Sequence, residues 1–204
     1  KYQNFVDFKK FWEYSFASAV ASKLITEKAN GPDPEEVFVS GLLHNLGELI
    51  FARTSPEKYT QVLTADSERM PDRLAVEESV IGSNHCRIGY GVAKEWGFPE
   101  ALLDPILYHH SPELYDGKNK SIHDTIKIVY LSDLLTNILL TEKPDQYHKQ
   151  FRKQAKKLLG LSNEDIEEIL DQIHNLVMQA GEYFNLTIKN TRSIQEILQE
   201  ANIR

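Results

Sequence analysis

Seven histidines are spread over a chain of 204 residues, and four of them occupy positions that could do chemistry. His44 sits inside the apolar run GLLHNLGELIF (41–51). His85 falls near the start of a helical stretch, and His109 and His110 close the next one. In VYLSDLL, Asp133 interrupts an otherwise apolar helix. Imidazoles and carboxylates are ligands for transition metals, and a metal held by them can generate hydroxide for hydrolysis. An unpaired buried carboxylate is costly, so Asp133 needs a partner. Alone, His44 reads as a buried, hydrogen-bonded imidazole. Together, the rings and the carboxylate can converge in a helical bundle, where such sites are built. Their wide separation in sequence does not by itself establish this.

Nearly the whole chain carries helical periodicity. Phe8, Trp12, Phe16, Ala19 and Val20 recur at three- and four-residue steps, predicting a helix over 8–29 that ends at Asn30-Gly31. The stretch 33–55 reads as one helix, capped by Asp33 with Pro34 at its first position and Glu35 and Glu36 at its positive end. On it His44 shares a stripe with Val37, Gly41 and Glu48, and Gly41 and Gly47 leave room for another helix to approach. Further helices are predicted at 56–65, 71–81, 84–96, 99–109, 121–141, 144–159, 163–184 and 193–201. No strand pair, repeat or low-complexity run is evident, and the expectation is an all-α, compact helical bundle.

The composition is that of an ordinary globular chain, 41% hydrophobic and 26% charged. A net charge of −7 without a basic block argues against nucleic-acid binding, which needs cations to displace phosphate counterions. Cys86 is the single cysteine, so there is no internal disulfide framework, and a reducing cytoplasmic setting is expected. The apolar run 126–140 is too short to span a bilayer and contains Lys127 and Asp133, so no membrane role is expected. The opening KYQNFVDF reads as a connecting segment, which predicts a piece of a longer protein.

VFVSGLLHNLGELIF, ESVIGSNHCRIGYGVAKEWGFPEALLDPILYHHSP and IVYLSDLL together resemble the HDOD domain, the regulatory relative of the HD and HD-GYP phosphohydrolases. The resemblance runs over about 11–140 and implies an HD-like helical bundle over 1–185, with a connector helix over 186–204 and the family's N-terminal lobe missing. In catalytic relatives a histidine on the first helix, a His-Asp pair and a late aspartate hold the metal. Here those positions fall on Tyr14, His44-Asn45 and Asp133, and the HD-GYP histidines on His85, His109 and His110. The Gly-Tyr-Pro loop of that branch has no counterpart in HHSPELYDGKNKS. A neutral amide cannot supply the charge of a bridging carboxylate, and a phenol ligates well only once deprotonated, from a reference pKa of about 10. Tyr14 and Asn45 therefore read as degenerate ligand positions, with no catalytic residue. His44, His85, His109, His110 and Asp133 are expected to line one cavity as a vestigial set or as a site for iron, zinc or nickel.

The resemblance implies a bacterial, non-catalytic signalling module that relays its state through helix packing to a partner or a fused GGDEF or histidine-kinase output domain. The alternative is a metal-dependent phosphohydrolase or phosphodiesterase with an altered ligand set, acting on nucleotides or cyclic dinucleotides. Ile194, Ile197, Leu198 and Ala201 form an apolar stripe on the predicted C-terminal helix, which must dock or dimerise to stay ordered. Trp96 and Pro99 are expected to pin a helical corner. His123, His148 and His174 read as surface residues. Cys86 reads as a small buried thiol whose neighbour His85 points about 100° away.

Overall fold

The computed structural model describes residues 7–69, 73–141 and 144–183, together with Ser193 and Glu196. The predicted helix over 193–201 lies otherwise outside the described residues. The fold is all-α. The helices are α1 (Phe8–Ala29), α2 (Pro34–Leu43), α3 (Leu46–Thr54), α4 (Pro56–Arg69) and α5 (Arg73–Val80). They continue with α6 (His85–Glu95), α7 (Glu100–Tyr108), α8 (Lys120–Leu140), α9 (Pro144–Leu159) and α10 (Asn163–Tyr183). A 3-10 turn spans Pro112–Leu114. Among the described residues, no helix is long and apolar enough to cross a membrane.

Side-chain caps fix several boundaries. Asp7, Asp33, Asn84 and Asn119 each accept a hydrogen bond from a backbone N–H in the first turn of the helix that follows. Asn30 ends α1 in the left-handed region, with φ 48°.

The predicted single helix over 33–55 is two. The chain breaks at His44-Asn45, and Asn45 opens α3 at φ −93° and ψ 19° without a side-chain cap. The two glycines explain why the break is held. A Cβ at Gly41 would lie 2.3 Å from Ser22 Oγ on α1, and one at Gly47 would lie 1.9 Å from the His85 carbonyl on α6. One segment is therefore pressed against two different helices, and its two halves face different neighbours.

Helix α8 is the axis of the core. Ile126, Ile128, Val129, Leu131, Leu135 and Ile138 are all buried on it, as expected of a helix surrounded by others. They pack with Phe16, Ala17, Ala21 and Ile25 of α1, Phe151 of α9, and Ile166, Ile169 and Ile173 of α10. A smaller cluster of Leu46, Ala93, Leu103 and Ile106 joins α3, α6 and α7. The corner between α6 and α7 turns at Gly97, with φ 77°. Trp96 does not pin it: its side chain is 60% exposed and rests against Phe98.

Candidate metal centre

The break after α2 sets His44 at its C-cap, facing inward and fully buried. His85 is the first residue of α6, and its backbone abuts Gly47 of α3. His109 caps α7 and His110 follows it. Asp133 lies midway along α8. Four separate segments thus bring these side chains together.

The histidines form one cluster. His85 Nε2 lies 3.2 Å from His109 Nε2 and 3.2 Å from His110 Nε2. The His44 ring stands edge-on to that of His109, with centroids 4.8 Å apart. The Nδ1 atoms of His44, His85 and His109 are each occupied. His85 Nδ1 donates to Glu77 at 2.7 Å, and the same carboxylate accepts the His85 backbone N–H at 2.8 Å. His109 Nδ1 donates to the Ile106 carbonyl at 3.0 Å, and His44 Nδ1 to the Gly41 carbonyl at 2.7 Å. A carbonyl or carboxylate only accepts, so Nδ1 carries the proton in all three rings. In a neutral ring this leaves Nε2 as a lone pair, and lone pairs 3.2 Å apart repel unless a cation lies among them. His44 Nε2 has no hydrogen-bond partner, and Asp133 Oδ1 stands 3.5 Å from it, long for a hydrogen bond.

The protonation pattern follows. Burial opposes a charge on His85, but the Cys86 sulfur and the Glu77 carboxylate outweigh it and hold its pKa well above the ordinary value. His109 moves the other way, kept well below by burial and by the adjoining rings. His110 is pushed down to about 4 by burial and by His85. Among His85, His109 and His110, the extra proton therefore resides on His85. Nearby, Arg73 pairs with Glu48 at 2.9 Å and with Glu77 at 3.3 Å, one guanidinium serving two carboxylates.

The Asp133 side is built differently. Tyr14 Oη donates to Asp133 Oδ1 at 2.7 Å and accepts from Asn137 Nδ2 at 2.7 Å. Asn137 also donates to the Asp133 backbone carbonyl at 2.9 Å. Burial would raise the Asp133 pKa, but His44, His110 and the Tyr14 hydroxyl outweigh it and hold the carboxyl at about 2. Burial and the Asp133 charge push the Tyr14 phenol well above its usual range, so it remains a neutral donor. Asn45 Oδ1 is buried with no hydrogen-bond partner.

A cavity of about 620 Å³ opens beside this second group. Tyr14, Asn45, Glu48, His110, Asp133 and Asn137 are among the polar residues lining it. Of the five residues expected to line one cavity, only His110 and Asp133 do so. His44, His85 and His109 are fully buried.

Residues 1–112 match the HDOD domain family. This chain belongs to the HDOD family. Its fold is similar to that of an HDOD domain protein from Geobacter sulfurreducens, with TM-score 0.72, 26% identity, and 87% of this chain covering 63% of that one. The response regulator MmoQ from Methylococcus capsulatus gives TM-score 0.59 at 25% identity, covering 80% of this chain and 62% of that one. A candidate phosphohydrolase from Shewanella amazonensis shares the fold, with TM-score 0.68, 22% identity, and 87% of this chain covering 64% of that one. The chain therefore spans less than two thirds of each of these proteins.

In this HDOD chain the candidate ligands fall into two groups, the imidazoles and the oxygens around Asp133. The imidazole half fits a single metal ion: its lone pairs converge, and the carboxylate behind His85 is the partner that orients a metal-binding imidazole. The oxygen half does not fit a second ion, because Tyr14 holds Asp133 Oδ1 at 2.7 Å and the residue after His44 is the neutral Asn45. Sequence reading assigns Glu77 and Asn137 no role, and Cys86, read there as a small buried thiol, lies 3.6 Å from His85 Nε2. Asn137 was legible as the helical neighbour four residues after Asp133. Glu77 gave no such signal, since only the loop before α6 turns it toward His85. His123, His148 and His174 are half-buried rather than exposed; His148 accepts from Arg152 at 3.1 Å.

Proposed function

We propose that this domain is a regulatory, non-hydrolytic HD-like module whose histidine cluster takes up one transition-metal ion or, in its place, one proton. The observation that carries the reading is the 2.7 Å hydrogen bond that ties Asp133 Oδ1 to Tyr14, at the position where catalytic relatives use an aspartate for metal. With a neutral Asn45 in the same cavity wall, and with Glu48 and Glu77 both paired with Arg73, the described carboxylates around the cluster argue against a dinuclear clamp for phosphoester attack. A bound ion would be held by His85, His109 and His110, and it would supply the positive charge that the converging lone pairs require. Loading and loss of the ion would change how tightly α6 is tied to α7. That difference in packing is what the domain would pass to a partner or to a fused output domain of the GGDEF or histidine-kinase type. Similarity to the response regulator MmoQ supports the signalling setting.

The second reading, a phosphohydrolase with an altered ligand set, has one observation in its favour: a substrate-sized cavity with His110 and Asp133 in its wall. The two separate in one experiment. Purified protein is loaded with zinc, iron or manganese, analysed for metal, and assayed on nucleotides and cyclic dinucleotides. About one ion per chain and no turnover is expected. Turnover that survives repurification and disappears in His44→Ala would establish the hydrolase reading.

A further inference from the structure

We propose that Cys86 is a ligand of the ion in the histidine cluster, completing a closed His3Cys centre for a borderline or soft divalent cation such as zinc or cobalt. The inference rests on the single-metal reading above and goes beyond it by fixing the donor set, and with it the class of ion.

The distances carry it. Metal–nitrogen bonds of about 2.0–2.1 Å and a metal–sulfur bond of about 2.3 Å at tetrahedral angles put nitrogens roughly 3.4 Å apart, and nitrogen and sulfur roughly 3.6 Å apart. The His85 Nε2 separations from His109 and His110 are both 3.2 Å, and Cys86 Sγ is 3.6 Å from His85 Nε2. Ligand atoms of His85, Cys86, His109 and His110 all lie within 4.8 Å of one another. The neighbour expected to point away is therefore within reach, because the His85 ring folds back over the start of α6 to meet Glu77. The thiol is buried.

A second, independent feature points to a cation at the same place. The Nδ1 protons of His85 and His109 are fixed outward by acceptors, so their Nε2 atoms face inward. Glu48, Glu77 and Asp133 surround the cluster with Arg73 as the paired cation, which leaves negative charge for an ion to balance.

Sulfur changes what the site selects and what it can do. A thiolate disfavours magnesium and manganese, which prefer oxygen, and favours zinc and cobalt. Binding expels the thiol proton and the proton on His85 Nε2 to solvent and forms the metal–sulfur and metal–nitrogen bonds, with no change of oxidation state. Four protein ligands also close the coordination shell. Catalytic zinc keeps an open position for water, whereas structural zinc does not. A His3Cys centre here holds α6 and α7 together without making a hydroxide.

The test is a cobalt titration of reduced, chelator-stripped protein. Wild type is expected to develop intense visible bands of tetrahedral cobalt together with a near-ultraviolet thiolate-to-cobalt charge-transfer band, both saturating at one equivalent. Cys86→Ser should lose the charge-transfer band and bind cobalt at least tenfold more weakly. Visible bands in wild type without the sulfur band, or an unchanged spectrum in Cys86→Ser, would overturn the Cys86 assignment while leaving a histidine-only metal site standing. No cobalt uptake by wild type would remove both. Should Cys86→Ser fail to fold, the wild-type near-ultraviolet band decides the question alone.

Discussion

The Tyr14 hydroxyl donates a 2.7 Å hydrogen bond to Asp133 Oδ1 from a helix whose contact lies 119 residues away in sequence. A phenol thereby satisfies one oxygen of the Asp133 carboxylate. Tyr14→Phe removes the donor and strands part of a buried charge, at an expected cost of about 1–3 kcal/mol. The Asp133 pKa should rise from about 2. Urea denaturation and carboxyl NMR titration check the two effects. An unchanged Asp133 pKa would mean that the hydroxyl does not hold it.

Glu77 receives the Nδ1 proton of His85 and should therefore govern metal affinity without touching the ion. Glu77→Gln keeps a hydrogen-bond acceptor but removes the charge. Metal affinity, measured by competition with a chromophoric chelator, should fall about 10–100-fold. Equal affinity in the variant would place the ion elsewhere.

In chelator-treated protein, stability should fall as the solution is acidified from pH 6.5. Burial and the His85 charge hold the folded pKa of His110 at about 4, while an unfolded histidine titrates near 6.5. Between these values the unfolded chain binds more protons, so the contribution of His110 is complete above about pH 6.5 and is lost as pH falls toward 4. The full loss is roughly 3 kcal/mol. His109 acts in the same sense. His85, whose pKa is raised, contributes below 6.5 and loses its contribution as pH rises through its folded value. Chemical denaturation against pH should show the acid limb, flattened but not abolished in His110→Gln.

Two glycine substitutions should act in opposite directions. Gly47→Ala drives a Cβ into the His85 carbonyl, a backbone atom that cannot swing aside, and should destabilise by about 3 kcal/mol or more. Gly91→Ala, on α6 with nothing within 4 Å, should stabilise by up to about 1 kcal/mol. Thermal unfolding of the pair reads both. A tolerated Gly47→Ala would mean that α3 and α6 do not meet as closely as the fold requires.

Helical periodicity, proline and glycine breaks and N-cap residues are local, and they made the all-α class and most helix positions readable in the sequence. The ends of α9 at Pro144 and Leu159 coincide with the reading. The motif order also placed His44, His85, His109, His110 and Asp133 as one set. What local pattern could not decide was the break at His44-Asn45, because the run over 33–55 is periodic throughout. Only the simultaneous approach of α1 at Gly41 and α6 at Gly47 forces its two halves apart. Nor could it divide the set into an imidazole cluster and a hydrogen-bonded carboxylate. That division depends on which way each ring nitrogen points: Ile106 fixes His109 from within its own helix, but Glu77 reaches His85 from α5 and Tyr14 reaches Asp133 from α1. Ligand types are written in the sequence, and local carbonyls orient His44 and His109, but the partners of His85 and Asp133 come within 3 Å only through tertiary packing.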